Sequence, residues 1–104
     1  MGQRTRDLAR VLEAVRELHR QGMTLVPARQ RAVVSVAKDR AVRPETIRAA
    51  CVRSLRPDVE TLSDLDRLIE RWLVTGDDLL EQLMHRITRG DSDEAAINSL
   101  FVAC

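Results

Sequence analysis

The chain has 104 residues, of which 17 are basic and 16 acidic, giving a formal net charge of +1; 44% of the residues are hydrophobic and 2% aromatic. This length has room for one small domain over residues 1–104, with little left over for a deep substrate pocket, which argues against a large enzyme. No uncharged apolar run approaches the roughly 18 residues that span a bilayer. No apolar leader opens the sequence and its two cysteines make no disulfide framework, so we expect a cytoplasmic protein without a membrane partner.

The two halves of the chain carry opposite charge. Residues 1–56 hold 13 basic and five acidic side chains, whereas residues 57–104 hold four basic and 11 acidic ones. The formal net charges of the two halves are therefore +8 and −7. Twelve of the 13 cations in the first half are arginines, whose planar guanidinium can hold phosphate oxygens or a guanine edge with two bonds. This asymmetry suggests a polyanion-binding first half and an acidic second half. The alternative is that the two halves attract each other across a shared interface.

In the first half, hydrophobic residues recur at helical spacing. A first helix is predicted over about residues 6–21, with Thr5 as its N-cap and Gly22 where it stops. A second helix is predicted over residues 27–40, with a proline suited to its first turn. The β-branched residues within 32–37 also fit a strand. The helix is preferred because 14 residues without glycine or internal proline exceed the length of a typical strand.

Proline and capping residues mark the next two helices. A third helix opens at Pro44, where proline suits the first turn, and ends before Pro57. A fourth helix begins at a capping box formed by Ser63 and, three residues on, Asp66. This helix is predicted to stop at Gly76.

Two further helices complete the second half. Asp77 and Asp78 favour the positive end of a fifth helix, and Asp91 opens a sixth. Short helices with no convincing hairpin indicate an all-α fold, a small bundle of five or six helices. We expect this single domain to consist of a basic half, residues 1–56, and an acidic helical half, residues 57–104.

One segment carries a more specific pattern. Residues 36–48, VAKDRAVRPETIR, place Ala37 before a turn, Val42 after it and Ile47 five residues further on. This pattern resembles the helix-turn-helix of bacterial DNA-binding proteins. A small Ala37 lets two helices cross closely, while Val42 and Ile47 fill the crossing from the other side. Ala41 stands where the family usually has glycine, and this costs about 1 kcal/mol if the backbone there is left-handed.

The resemblance, which covers about residues 30–55, implies that the third helix is a recognition helix docked in the major groove of DNA. Arg48 suits the O6 and N7 acceptors of guanine, and Glu45 suits the cytosine amino group. A thymine methyl suits Ala49 or the methyl group of Thr46. The DNA-binding residues implied in and before this helix are Arg43, Glu45, Thr46, Arg48, Ala49 and Arg53.

Phosphate contacts are expected around this helix. Arg53 lies a turn after the base-reading positions and suits a phosphate. Arg29 and Arg31 lie in the first turn of the second helix, whose exposed amides also favour a phosphate. Arg4 and Arg6, in the tail before the first helix, are expected to reach the DNA backbone or a minor groove. The alternative is a plain helical hairpin with an arginine-rich face in solvent.

The sequence shows no pattern for catalysis or metal binding. His19 and His85 lie on different predicted helices, and there is no Cys-x-x-Cys, His-x-x-x-His or glycine-rich phosphate loop. Paired aspartates open helices, where capping explains them. We therefore expect no enzyme activity, no cofactor and no metal. Cys51 is predicted to be a small buried hydrophobe, Cys104 an exposed thiol, and Trp72 the core anchor of the acidic half.

Together, these observations predict a sequence-selective, duplex-DNA-binding protein, a small transcriptional regulator that acts as a homodimer because one motif covers about half a site. The acidic helices, residues 60–104, are the predicted dimer contact or the docking site of a protein partner. One alternative is a protein-protein interaction module whose acidic face docks on a basic partner. Another is an accessory domain of a larger nuclease or toxin-antitoxin system.

Overall fold

The structure, a computed structural model, describes residues 2–86. Within this range the protein is all-helical and has no strand, which confirms the predicted all-α bundle. The predicted sixth helix and Cys104 lie outside the described residues. The helices are α1 (Gln3–Arg20), α2 (Leu25–Arg40), α3 (Pro44–Ser54), α4 (Leu62–Leu73) and a segment over 79–86, here called α5.

Helix α1 begins earlier than the sequence predicted. Gly2 is its N-cap, and Thr5 lies inside the helix with 5% of its surface exposed. The prediction of Thr5 as the N-cap is therefore wrong, and the reason is its register. Thr5 stands three residues before Leu8, which is fully buried, so both side chains face the core. At the other end, Gly22 has a φ of 101° directly after the helix, in agreement with its predicted role as a stop.

A three-residue turn joins α2 to α3. The last residue of α2 is followed by Ala41, whose backbone is left-handed at φ 55° and ψ 42°. The N–H of Val42 then donates to the Ala37 carbonyl at 3.0 Å, which closes the end of α2. Arg43 is extended and Pro44 opens α3, so the chain changes direction within these residues. The segment 32–37 is helical, as the length of the pattern over 27–40 predicted.

The crossing of α2 and α3 is buried as expected. Ala37 is 2% exposed and Ile47 is fully buried, while Val42 is partly buried against the same cluster. Helix α1 packs across both α2 and α3, with Leu8 and Val11 fully buried. The small side chain at position 37 therefore lies where two helix backbones approach closely, and larger side chains fill the space around it.

Helix α4 begins two residues before the predicted capping box. Thr61 is the N-cap; its hydroxyl accepts from the Asp64 N–H at 3.2 Å, and the Asp64 carboxylate accepts from the Thr61 N–H at 3.1 Å. The prediction of Ser63 and Asp66 as the capping box is therefore wrong, because Thr61 and Asp64 have the same spacing and occupy those positions. Hydrogen bonds from the backbone N–H of Glu60 and from Thr61 lower the pKa of the Asp64 carboxyl.

One hydrophobic cluster runs through all the described helices. In its second half Leu65 and Ile69 are fully buried, while Trp72 is only partly buried at its edge, so the predicted role of Trp72 as core anchor is wrong. A Trp at an edge keeps its indole N–H within reach of a polar partner, here a Glu81 carboxylate oxygen at 3.1 Å. Cys51 is fully buried as predicted, and this burial raises the pKa of its thiol to about 12.

Two buried ion pairs tie the helices together. The Arg29 guanidinium donates to both oxygens of Asp66, at 2.8 and 3.0 Å, and so joins α2 to α4. The Arg40 guanidinium donates to both oxygens of Asp7, at 3.0 and 3.2 Å, and so joins the end of α2 to the start of α1. One member of each ion pair is almost fully buried: Arg29 is 7% exposed and Asp7 is 2% exposed. Such pairs fix the relative placement of the elements they join.

We expect Ala41→Gly to raise the free energy of unfolding by about 0.5–1 kcal/mol, because glycine adopts the left-handed conformation without the Cβ clash. The matched control is Ala49→Gly, the same change at an exposed helical position, which should lower the free energy of unfolding by about 1 kcal/mol. Urea denaturation of both variants measures the difference. Equal losses in the two variants contradict a left-handed Ala41.

We expect Asp66→Ala to lower the free energy of unfolding by about 3 kcal/mol, because it leaves the buried Arg29 charge without its partner. The control is Asp58→Ala, which removes an acceptor from the solvent-exposed pair with Arg86 and should cost less than about 1 kcal/mol. Urea denaturation monitored by circular dichroism compares the two. Similar losses in both variants contradict a structural role for the Arg29 pair.

Candidate nucleic-acid interface

Helix α3 presents one polar face to solvent. Its inward side holds Ile47 and Cys51, both fully buried. Thr46, Ala49 and Arg53 are exposed and follow one another at the three- and four-residue spacing of a helix surface. The packing of α1 and α2 against the inward side therefore leaves this outward face open along the whole helix.

The N-terminal end of α3 adds charged groups to that face. Arg43 is exposed at the N-cap, and Glu45 is exposed in the first turn. Glu45 and Arg48, which were predicted as separate base contacts, form an ion pair at 3.0 Å with side chains 66% and 35% exposed. Exposed pairs at this spacing stabilise a helix by only a few tenths of a kcal/mol. The Arg48 guanidinium is therefore held in place weakly and remains available to a stronger acceptor.

The two arginines predicted at the start of α2 differ in accessibility. Arg31 is exposed, whereas Arg29 is buried in its pair with Asp66. The expectation that Arg29 contacts a phosphate is wrong for this structure, because both oxygens of a carboxylate already occupy its guanidinium. The sequence holds a signal for this burial: Arg29 stands four residues before Val33, which is 1% exposed, and so shares its inward face.

Arg4 and Arg6 lie within α1, so their predicted placement in a tail before the first helix is wrong. Both are exposed. Arg4 lines a groove between the start of α1 and the outward face of α3, together with Thr46, Ala49 and Arg53. The residue missed by sequence reasoning is Asp7, which lies at the same groove and pairs with Arg40.

The exposed surface of the basic half is positively charged. Nine of its cations are exposed and form no ion pair within residues 2–86. Three of them, Arg4, Arg43 and Arg53, lie at the face just described. The others are Arg6, Arg10, Arg16, Arg31, Lys38 and Arg56. By contrast, Arg71 and Arg86 of the acidic half are both paired with aspartates. The positive field of the first half is thus largely open to solvent.

A second groove lies between α1, α4 and α5. Its wall is apolar, with Leu12, Leu80 and Met84 beside Trp72. The rim is polar and carries both signs of charge: the Arg16 guanidinium lies 5.8 Å from the centroid of the Trp72 ring, and acidic and histidine side chains stand close by. The rim residues besides Arg16 are Glu13, Glu81 and His85.

Other kinds of site find no geometric basis in this part of the chain. Over residues 2–86, no three His, Cys, Asp or Glu side chains gather where they could hold a metal ion. None of the described helices is long and apolar enough to cross a membrane. The Nδ1 atom of His19 lies 3.3 Å from the Met23 carbonyl oxygen, a contact at the C-terminal end of α1.

The chain was compared with protein-family models, curated proteins and solved structures, and none of them matches it.

Proposed function

We propose that this protein binds duplex DNA by placing the outward face of α3 in the major groove. The observation that carries the proposal is the α2–turn–α3 unit. Its turn is three residues long and contains the left-handed Ala41. The outward face of α3, together with its N-cap, combines Arg43, Arg48 and Arg53 with the small residues Thr46 and Ala49. An α-helix of this width fits the major groove, where small side chains allow close approach.

The residues of the face divide into two kinds of proposed contact. Arg48 is suited to guanine and Ala49 or Thr46 to a thymine methyl, and these contacts would give sequence selectivity. Arg43 and Arg53, at the two ends of the helix, would hold phosphates and fix the register. Arg31 on α2 would add a further phosphate contact, whereas Arg29 has no part in the proposal because its guanidinium is buried.

We further propose that the protein acts as a homodimer and as a transcriptional regulator, with the groove around Trp72 as the contact between two copies. The support is the charge pattern of its rim. In a two-fold contact the same patch meets itself, so a rim of one sign would repel its copy. This rim carries Arg16 beside Glu13 and Glu81, and these can pair across a two-fold axis.

Binding to a random-sequence duplex should be strongly salt-dependent. Four to six neutralised phosphates, about the number that the exposed arginines around α3 can reach, give a log-log slope of about −4 to −5. A fluorescence anisotropy titration at several salt concentrations measures this slope. Absence of binding at low salt, or a slope near zero, contradicts the DNA proposal and favours a protein-interaction module.

Arg48→Ala should reduce discrimination between a preferred duplex and a scrambled one by about 1–3 kcal/mol, because it removes a base contact. Arg53→Ala should weaken both duplexes equally, because it removes a phosphate contact. Arg67→Ala is the control, since it removes an exposed arginine from α4 in the acidic half and should leave both affinities unchanged. If Arg48→Ala and Arg53→Ala behave alike, the proposed docking register is wrong.

Self-association should depend on the Trp72 groove. Met84→Glu places a charge in its apolar wall and should convert the dimer to a monomer, because a buried unpaired charge opposes the contact. Val34→Glu makes the same kind of change at an exposed valine of α2 and should leave the dimer intact. Sedimentation velocity at tens of micromolar protein, a range chosen to populate typical dimers, compares the two. A wild-type protein that is monomeric throughout contradicts the dimer.

A further inference from the structure

The groove between the first turns of α1 and the outward face of α3, called here the α1–α3 groove, collects several cationic side chains. Arg4 comes from α1, Arg53 from α3 and Arg40 from the end of α2. The Thr46 and Ala49 side chains lie between them on α3. A small residue at position 49 keeps the groove open, and the Thr46 hydroxyl supplies a hydrogen-bond donor.

The acidic groups near this groove are already neutralised. The Asp7 carboxylate is 2% exposed and accepts two hydrogen bonds from Arg40 and a third from the Gln3 amide at 3.1 Å. In the free protein Glu45, also at the groove, is paired with Arg48. The charges left without an ion pair in this part of the structure are therefore those of Arg4 and Arg53, both positive and both exposed.

The helix that carries Arg4 adds to this field. Helix α1 has 18 residues, and its first turn contains no acidic side chain. Its N-terminus therefore contributes a partial positive charge that no carboxylate in that turn offsets. The Asp7–Arg40 pair also fixes this end of α1 against α2, next to the turn before α3. Arg4 is thus held beside α3 by a buried contact, and its position does not depend on a free tail.

We propose that the α1–α3 groove binds a phosphodiester of the DNA backbone between Arg4 and Arg53, with the Thr46 hydroxyl as an additional donor. Thr46 then contacts this phosphate, and Ala49 is the residue left for a thymine methyl. This proposal rests on the proposed function and deepens it, because it makes α1 a third DNA-contacting element beside α2 and α3. Asp7 and Arg40 are positioning residues for this contact. Two arginines on separate helices that share one phosphate also fix the angle at which α3 lies in the groove.

Arg6 provides a matched control for Arg4. Both are exposed arginines in the first turns of α1 without an ion pair in the described range, but only Arg4 lines the groove. Arg4→Ala should weaken duplex binding about tenfold, equally for preferred and scrambled sequences. It should reduce the salt slope by less than about 0.9, the value of one whole phosphate contact, because Arg53 still holds the same phosphate. Arg6→Ala should change affinity less than about twofold. Equal effects of the two variants would mean that only the general positive field matters, which overturns the proposal.

A double-variant cycle tests whether one phosphate is shared. If Arg4 and Arg53 hold the same phosphodiester, the loss of affinity in Arg4→Ala/Arg53→Ala should be smaller than the product of the two single losses. In the control cycle, the losses of Arg6→Ala and Arg53→Ala should multiply. Independent effects of Arg4 and Arg53 overturn the shared site but leave the DNA proposal standing, whereas a wild-type protein that binds no duplex overturns both.

A further experiment distinguishes a DNA backbone phosphate from a free anion as the ligand of the groove. Inorganic phosphate is added to wild-type protein and to Arg4→Ala while the melting temperature is recorded. We expect no difference between the two, because a free phosphate lacks the α3 contacts that bring the DNA backbone to the groove. If phosphate stabilises the wild type but not Arg4→Ala, the groove is a free-anion site and its assignment to the DNA backbone is overturned.

Discussion

The orientation of α3 depends on two adjacent residues at the end of α2. Arg40 is held by the buried Asp7 carboxylate of α1, and Ala41 then takes the left-handed conformation that turns the chain. The first contact fixes where α2 ends relative to α1, and the second fixes the direction in which the next helix leaves. A shift at either position would move every exposed residue of α3 together, because that helix follows within three residues. The strain of a non-glycine residue is tolerated because the helix crossing around it is fully packed.

The opposite charges of the two halves have two consequences in this structure. Arg29 and Asp66 form the ion pair that joins the two halves within residues 2–86, so part of the attraction between the halves is structural. Nine other cations of the basic half remain exposed without an ion pair in that range. The two interpretations of the asymmetry are therefore compatible, since one arginine binds the acidic half while most of the positive charge faces solvent.

The sequence was enough to predict the described helices and the start of α3 at Pro44, but not the first residues of α1 and α4 or the buried charges. Two capping boxes overlap at the start of α4, and spacing alone does not choose between Thr61 with Asp64 and Ser63 with Asp66. The prediction that Arg29 contacts a phosphate used its charge and neglected its helical position, which places it on the inward face of α2. Its partner lies 37 residues away along the chain, and such a contact depends on how α2 and α4 pack, which periodicity does not contain. The outward face of α3 was predictable because exposure there follows directly from the helical repeat.

In the proposed DNA complex, Glu45 would give the face of α3 a selectivity that its arginines alone would lack. In the free protein its carboxylate accepts one hydrogen bond from the Arg48 Nη2 atom, so a guanine contact made through that nitrogen would compete with this bond. A guanine edge offers two acceptors to the guanidinium, whereas adenine offers one acceptor beside a donor. The exchange is therefore favourable at guanine and poorly compensated elsewhere. The released carboxylate then lies near phosphates, where it is repelled unless a cytosine amino group faces it. On the proposed function, this acidic residue on a basic surface would weaken binding to every sequence, and would weaken it least at the sequence that satisfies both Glu45 and Arg48.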